Sequence, residues 1–234
     1  AEVLNAADRR EAAIEVLEAL TRSNPDRAEV WALKGDNLRQ VERFDAAITA
    51  YGRALDLYDD ASPAKWFVHY TRGIAHHQLD QWPGAEADFR AALALRADQP
   101  QVLNYLGYSL VERNEKMEEA LGMIETAAAA RPDNGAIVDS LGWVYFQMGR
   151  YEEAVVQLER AASREPLNPV INDHLGDARW AVGRELEAAF QWQRALSFDP
   201  QEDDALRIRD KLALGLDAVL EAEGAAPLQV ASDN

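Results

Sequence analysis

NGAIVDSLGWVYFQMGRYEEAVVQLERAASREP (residues 134–166) and NPVINDHLGDARWAVGRELEAAFQWQRALSFDP (residues 168–200) are one pattern written twice. Gly142, Ala154, Ala161 and Pro166 of the first copy are followed 34 residues later by Gly176, Ala188, Ala195 and Pro200. A fixed period of this length, with apolar residues at helical spacing, marks an array of stacked helical units. Each copy reads as two helices joined by a short polar turn, Gly149-Arg150 in one and Gly183-Arg184 in the other.

The residue types explain the period. Gly142 and Gly176 fall inside the first helix of each pair, where glycine costs about 1 kcal/mol relative to alanine. Close approach of the second helix is the compensating reason, with Ala154 and Ala188 expected as the matching small residues and Ala161 and Ala195 between one pair and the next. Pro166 and Pro200 end the second helices, because proline lacks the helical N–H and clashes with the preceding turn.

This succession of an apolar residue, Leu-Gly or a variant, then Ala, an aromatic or leucine, Ala and Pro resembles the tetratricopeptide repeat over about residues 25–200. The resemblance implies an all-α fold, a right-handed superhelical solenoid of antiparallel helix pairs with a C-terminal capping helix. Five units fit within residues 25–200, with glycines at Gly35, Gly73, Gly107, Gly142 and Gly176. Extra residues between the first and second units belong in the loop at residues 59–63, and one extra residue sits in the turn of the third, near Arg113 to Met117.

Residues 1–24 read as half a repeat, a second helix without its first. Ile14, Leu17 and Leu20 are then expected to show apolar surface at an open end, either because the chain is a piece of a longer protein or because copies self-associate there. Residues 201–223 read as one amphipathic capping helix with Ile208, Leu212, Leu216 and Val219 on one face, and residues 224–234 as a flexible tail. The count is twelve helices and no strand.

Composition narrows the function. The chain has 41 acidic and 24 basic residues, a formal net charge of -17, which argues against phosphate backbones and anionic membrane surfaces as partners. Cysteine is absent, so thiol chemistry is excluded while the compartment stays open. No apolar run reaches the roughly 18 residues of a membrane span, so direct membrane insertion is not expected. There is no phosphate loop, zinc-protease helix motif or nucleophile elbow. His69, His76 and His77 share a helix without the i, i+4 pair that zinc sites on helices favour, so no metal or other cofactor is expected. The reading is non-enzymatic.

What remains is a recognition surface. In stacked helix pairs the first helices line one side, and positions three before, one after and four after each glycine should face it. These are Ala32, Asp36 and Arg39; Tyr70, Ile74 and His77; Asn104, Tyr108 and Val111; Asp139, Trp143 and Phe146; and Asp173, Asp177 and Trp180. The expected groove is formed by Tyr70, His77, Asn104, Tyr108, Asp139, Trp143, Phe146, Asp173, Asp177 and Trp180. It is aromatic with acidic spots, suited to a protein or peptide segment carrying apolar and basic residues. Core packing is the competing reading for Trp143 and Trp180 and the first reading for Trp31, Trp82 and Trp192.

Some members of the resembled family clamp a partner's terminal carboxylate with groove lysines, arginines and asparagines. Here Asn104 has no matching lysine. The runs NYLGYSL, DSLGWVYFQMGRYEEAV and NDHLGDARWAVGR also resemble proteobacterial periplasmic members, among them outer-membrane lipoproteins that deliver substrates to a carboxyl-terminal processing protease. That resemblance implies an adaptor in the periplasm or at the outer membrane, with the cytoplasm as the alternative. A self-assembling structural protein and the repeat portion of a larger enzyme are the rival readings.

Overall fold

The computed structural model describes residues 10–228. Among them are thirteen α-helices, and the chain divides into two compact units, Ala1–Val102 and Leu103–Asn234. The first unit holds α1 (Arg10–Ser23), α2 (Ala28–Gln40), α3 (Phe44–Leu57), α4 (Lys65–Gln78) and α5 (Trp82–Leu95). Helix α6 (Pro100–Glu112) enters the second unit at Leu103. The second unit continues with α7 (Met117–Ala130), α8 (Gly135–Gln147), α9 (Tyr151–Arg164), α10 (Pro169–Ala181), α11 (Glu185–Ser197), α12 (Glu202–Leu214) and α13 (Leu216–Ala222).

Within each pair the glycine of the first helix is met by one large side chain of the second. A Cβ added at Gly142 would come within 2.5 Å of Leu158, and at Gly176 within 2.3 Å of Trp192. Gly35 meets Tyr51, Gly73 meets Phe89 and Gly107 meets Ile124 in the same way. This corrects the expected pairing of glycine with Ala154 or Ala188. Those alanines are fully buried, but the hole left by the missing side chain is filled by the bulky residue one turn further on. Ala161 does sit between pairs, in a cluster with Val138 of α8 and Ile171 of α10.

The turns inside the pairs share one backbone feature. Glu42, Asp80, Asn114, Gly149 and Gly183, each seven residues after its glycine, all adopt a left-handed conformation, with φ between 52° and 76°. Glycine takes this conformation freely, whereas an ordinary L-residue pays about 1–2 kcal/mol. In the third unit Lys116 is left-handed too (φ 48°), which absorbs the extra residue of that turn. Asn134 and Asn168 cap α8 and α10, each side chain accepting from Ile137 N and from Val170 and Ile171 N respectively.

Two expectations about the ends change. Ile14 and Leu17 are buried, because α1 packs on α2 and Ile14 joins the cluster of Leu38, Tyr51 and Val68. Of the three apolar residues proposed for an open face, Leu20 alone is exposed, at 40%, beside Val16. The single capping helix is in fact two, broken at Gly215 (φ 87°, ψ 158°). The ring of Trp180 lies over that glycine, where an added Cβ would meet it at 2.6 Å. The break lets α13 fold back on α12 and bury Leu216 and Val219. Residues 1–9 of the half repeat and 229–234 of the tail lie outside the described residues. Trp82 and Trp192 are core residues, while Trp31 is half-buried, its indole donating to the Pro25 carbonyl at 2.9 Å.

Candidate functional site

The second unit contains a cleft of about 450 Å³. Helix α6 contributes Tyr108 and Glu112, and α8 contributes Trp143 and Gln147. Helix α10 adds Pro169, Val170, Asp173 and His174, and the chain entering α12 adds Pro200, Asp204, Arg207 and Ile208. Four successive segments therefore face one space, and α12 is a wall of it as well as a cap.

Trp143 forms the aromatic side. It is only 9% exposed. Its ring stacks on His174 with centroids 4.0 Å apart and on Phe146 at 4.9 Å. Its indole N–H donates to Glu112 Oε1 at 3.1 Å. The buried His174 Nδ1 lies 3.0 Å and 3.1 Å from the two Asp139 oxygens. Burial alone would pull the His174 pKa down, but the charge and hydrogen bond of Asp139, with Asp173 and Asp177 nearby, hold it above the ordinary histidine value. The tyrosine hydroxyl of Tyr108 is pushed well above its usual range by burial and by the negative charges of Glu112 and Asp139, and it hydrogen-bonds to Glu112.

The floor toward α12 is ionic. Lys211 has a side chain with no exposure, and its ammonium donates to Asp173 Oδ1 and Oδ2 at 2.9 and 2.8 Å and to Asp177 Oδ2 at 2.8 Å. Asp177 also accepts from the Trp192 indole at 2.9 Å. Burial and the adjacent Asp177 charge push the Asp173 carboxyl up to about 6, against the lowering effect of Lys211. Arg207 forms a two-bond pair with Glu223 at 2.7 and 3.1 Å and lies 3.7 Å from Asp177. No described cation pairs with Glu112 or Asp204.

Of the residues expected to face a groove, Tyr108, Trp143 and Asp173 line the cleft. Asp139 and Phe146 lie behind it, one gripping His174 and the other stacked on Trp143. Asp177 is buried under Lys211. Trp180 is half-buried against Gly215 and Trp192, with its indole bonded to Asp217 at 2.7 Å. Asn104 is partly buried on α6 and is not among the lining residues, and its buried side-chain oxygen Oδ1 finds no hydrogen-bond partner among the described residues. Trp180 and Asp177 are thus taken up by the protein's own α12–α13. Sequence reasoning missed Glu112 and Gln147, five residues after their glycines, and also His174 and the residues from α12.

In the first unit, Tyr70 is half-buried with its ring 6.3 Å from Phe67 and 6.2 Å from Phe89, and His77 is half-buried on the same helix. His69 and His76 converge on the buried Asp88 of α5, at 2.8 and 3.9 Å, together with two bonds from Arg72 at 2.7 Å. Burial would raise the Asp88 carboxyl, but the bonds from Arg72 and His69 prevail and lower it. These histidines therefore serve an ion cluster joining α4 to α5. Among the described residues no group of three or more histidines and carboxylates is arranged to hold a metal ion.

Family models described as tetratricopeptide repeat match residues 1–64, 32–100 and 70–135, and a second such model matches residues 113–175. The chain belongs to the tetratricopeptide repeat family. A TPR repeat-containing protein of Pseudomonas aeruginosa, PA4667, is 30% identical over 150 residues, covering 64% of this chain and 25% of that protein. The chain thus spans about a quarter of the length of that relative. Among solved structures, the APC/C hetero-tetramer Cut9-Hcn1 superposes with a TM-score of 0.75 at 18% identity, covering 91% of this chain and 40% of that one. YrrB, a TPR protein with an unusual peptide-binding site, gives a TM-score of 0.63 at 19% identity, covering 84% of this chain and 99% of that one. These two likenesses establish the tetratricopeptide repeat fold. No described helix is long and apolar enough to cross a membrane.

Proposed function

We propose that the protein is a non-enzymatic interaction scaffold that holds an extended or helical segment of a partner protein in the cleft between α6, α8, α10 and α12. The observation that carries this reading is the cleft itself. It has an aromatic wall braced by His174 and Phe146 and a rim carrying Glu112 and Asp204, carboxylates that no described cation neutralises. Its volume, about 450 Å³, lies within the roughly 300–1,000 Å³ typical of sites that enclose a ligand. A segment with apolar and basic residues matches both parts. The peptide-binding site of YrrB offers a precedent in a protein of the same fold.

The test uses the cleft's exposed residues, so that folding and binding separate. Gln147 and Val170 are exposed, and Gln147→Lys with Val170→Arg adds two positive charges to the cleft. Surface substitutions of this kind usually change stability by within about 0.5 kcal/mol. Partners captured on the immobilised wild-type protein should bind the variant at least about tenfold more weakly, a change of about 1.4 kcal/mol. Undiminished binding would remove the cleft from the function. We extend the reading to an adaptor role in the periplasm, on the strength of NYLGYSL and DSLGWVYFQMGRYEEAV in α6 and α8–α9. That extension predicts that a carboxyl-terminal processing protease co-purifies with the protein, and failure to recover one leaves the scaffold without that partner.

A further inference from the structure

We infer that the partner's anchor in this cleft is a single lysine or arginine side chain, its cationic head held by Glu112, Asp173 and Asp204 and its stem laid along Trp143 and Val170. The inference rests on the cleft reading above and adds the chemistry that the cleft selects.

One carboxylate of the three is already seen holding such a group. The Lys211 ammonium sits 2.8 and 2.9 Å from the two oxygens of Asp173. A carboxylate offers about four acceptor positions, so two remain after Lys211 is bound. Asp173 keeps 16% exposure and lines the cleft, so it presents acceptor capacity to a second cation from that side. Lys211 is thus an internal example of the contact proposed for a partner.

Charge balance points the same way. Glu112 is held in place by two neutral donors, the Trp143 indole and the Tyr108 hydroxyl, which fix its position without cancelling its charge. Asp204, in the first turn of α12, has no described ion-pair partner. The cleft's arginine, Arg207, is already engaged by Glu223 and Asp177. An uncharged occupant would strip water from Glu112 and Asp204 and return nothing for it, whereas an ammonium or guanidinium would supply charge-assisted hydrogen bonds. The adjoining apolar surface suits the methylene stem that lysine and arginine carry below the charge.

The full chain, labelled with ¹⁵N, is titrated with Ac-Leu-Lys-Leu-NH₂, Ac-Leu-Arg-Leu-NH₂ and Ac-Leu-norleucine-Leu-NH₂, and the Trp143 indole N–H is followed. The norleucine peptide keeps the stem and lacks the charge. The lysine and arginine peptides should give saturable shifts with affinity at least about tenfold above the norleucine peptide, the scale of a charge-assisted hydrogen bond. That advantage should shrink in Asp204→Asn and in Glu112→Gln, and in high salt. Equal affinity for all three peptides would overturn the cationic anchor while leaving a peptide-binding cleft in place. No shift with any peptide would overturn the anchor and the cleft reading together. A preference for arginine over lysine, or the reverse, identifies which head the cleft accommodates.

Discussion

Replacing Lys211 with methionine tests what attaches α12 to the repeats. The lysine side chain has no exposure, and Asp177, at 2.7 Å from the ammonium, is almost equally buried. Methionine nearly conserves length and volume, so the perturbation removes a charge without opening a large cavity. Asp173 and Asp177 are then left facing each other. Asp177 retains the Trp192 indole at 2.9 Å and the more distant Arg207 at 3.7 Å, but Asp173 loses the ammonium that meets both of its oxygens. Stranding a buried ionic partner typically costs about 3–5 kcal/mol. Some of this is recovered if Asp173 takes up a proton, which its already elevated pKa of about 6 favours. We therefore expect Lys211→Met to destabilise the C-terminal repeat by about 2–4 kcal/mol near neutral pH, that range lowered by about 1 kcal/mol for the protonation of Asp173. Urea unfolding followed by the fluorescence of Trp180 and Trp192, with amide exchange resolved along α12, measures the effect. Adding Asp173→Asn and Asp177→Asn to Lys211→Met removes the stranded charges and should restore much of the loss. A cost below about 1 kcal/mol for Lys211→Met, or no recovery in the triple variant, would refute the claim that ion pairing secures α12.

Gly176→Ala should destabilise by about 1–3 kcal/mol through overpacking against Trp192, whereas Gly122→Ala, which meets nothing within 4 Å on α7, should be neutral or stabilising by up to about 1 kcal/mol; thermal melts of both compare the two directly. Trp143→Ala should cost about 3–5 kcal/mol, because a ring only 9% exposed leaves a cavity beside His174, and a loss under about 1 kcal/mol would show that the ring is not part of the packing. The pH response follows from two raised pKa values. Asp173 and His174 each bind a proton more readily folded than unfolded, so their contributions favour folding at low pH and fade as pH rises, for Asp173 from 3.8 through about 6 and for His174 from 6.5 upward. Asp173→Asn should flatten the first part of that decline in urea melts across the range, and an unchanged pH profile would count against it. Asp88 has the opposite sign, its stabilisation being present above 3.8 and lost as pH falls through its lowered value, so Asp88→Asn should lessen acid sensitivity in the first unit.

The repeats were legible because their signal is covalent spacing. A glycine every 34 to 38 residues, a turn seven residues later and a proline or loop after the second helix place the helix pairs without any knowledge of contacts. The partner of each glycine was less legible. Small residues on both sides would also permit close approach, and the choice of Leu158 or Trp192 over Ala154 or Ala188 depends on where the second helix's largest side chain comes to rest. The C-terminal break was hidden for a similar reason. Ile208, Leu212, Leu216 and Val219 keep helical spacing straight through Gly215, and only the ring of Trp180, 35 residues earlier in the chain, shows why the helix must turn there.

The groove positions expose the geometric source of the remaining errors. With 3.6 residues per turn, each residue advances about 100°, so from the position after the glycine the next turn returns about 40° away at the fifth residue and about 60° away at the fourth. Counting to the fourth position selected Val111 and Phe146, which are buried, while the fifth holds Glu112 and Gln147, which line the cleft. The last repeat departs for a different reason. Asp177 and Trp180 occupy groove positions but are met by Lys211, Gly215 and Asp217 of the protein's own terminal helices. In this repeat α12–α13 meets those acidic and aromatic positions from within the chain, a lysine ammonium on the Asp177 carboxylate and a helix break under the Trp180 ring. At Glu112 the donors from within the chain are the neutral Trp143 indole and Tyr108 hydroxyl, with no described lysine in the place that Lys211 takes against Asp177, and it is there that the proposed partner segment would supply the cation.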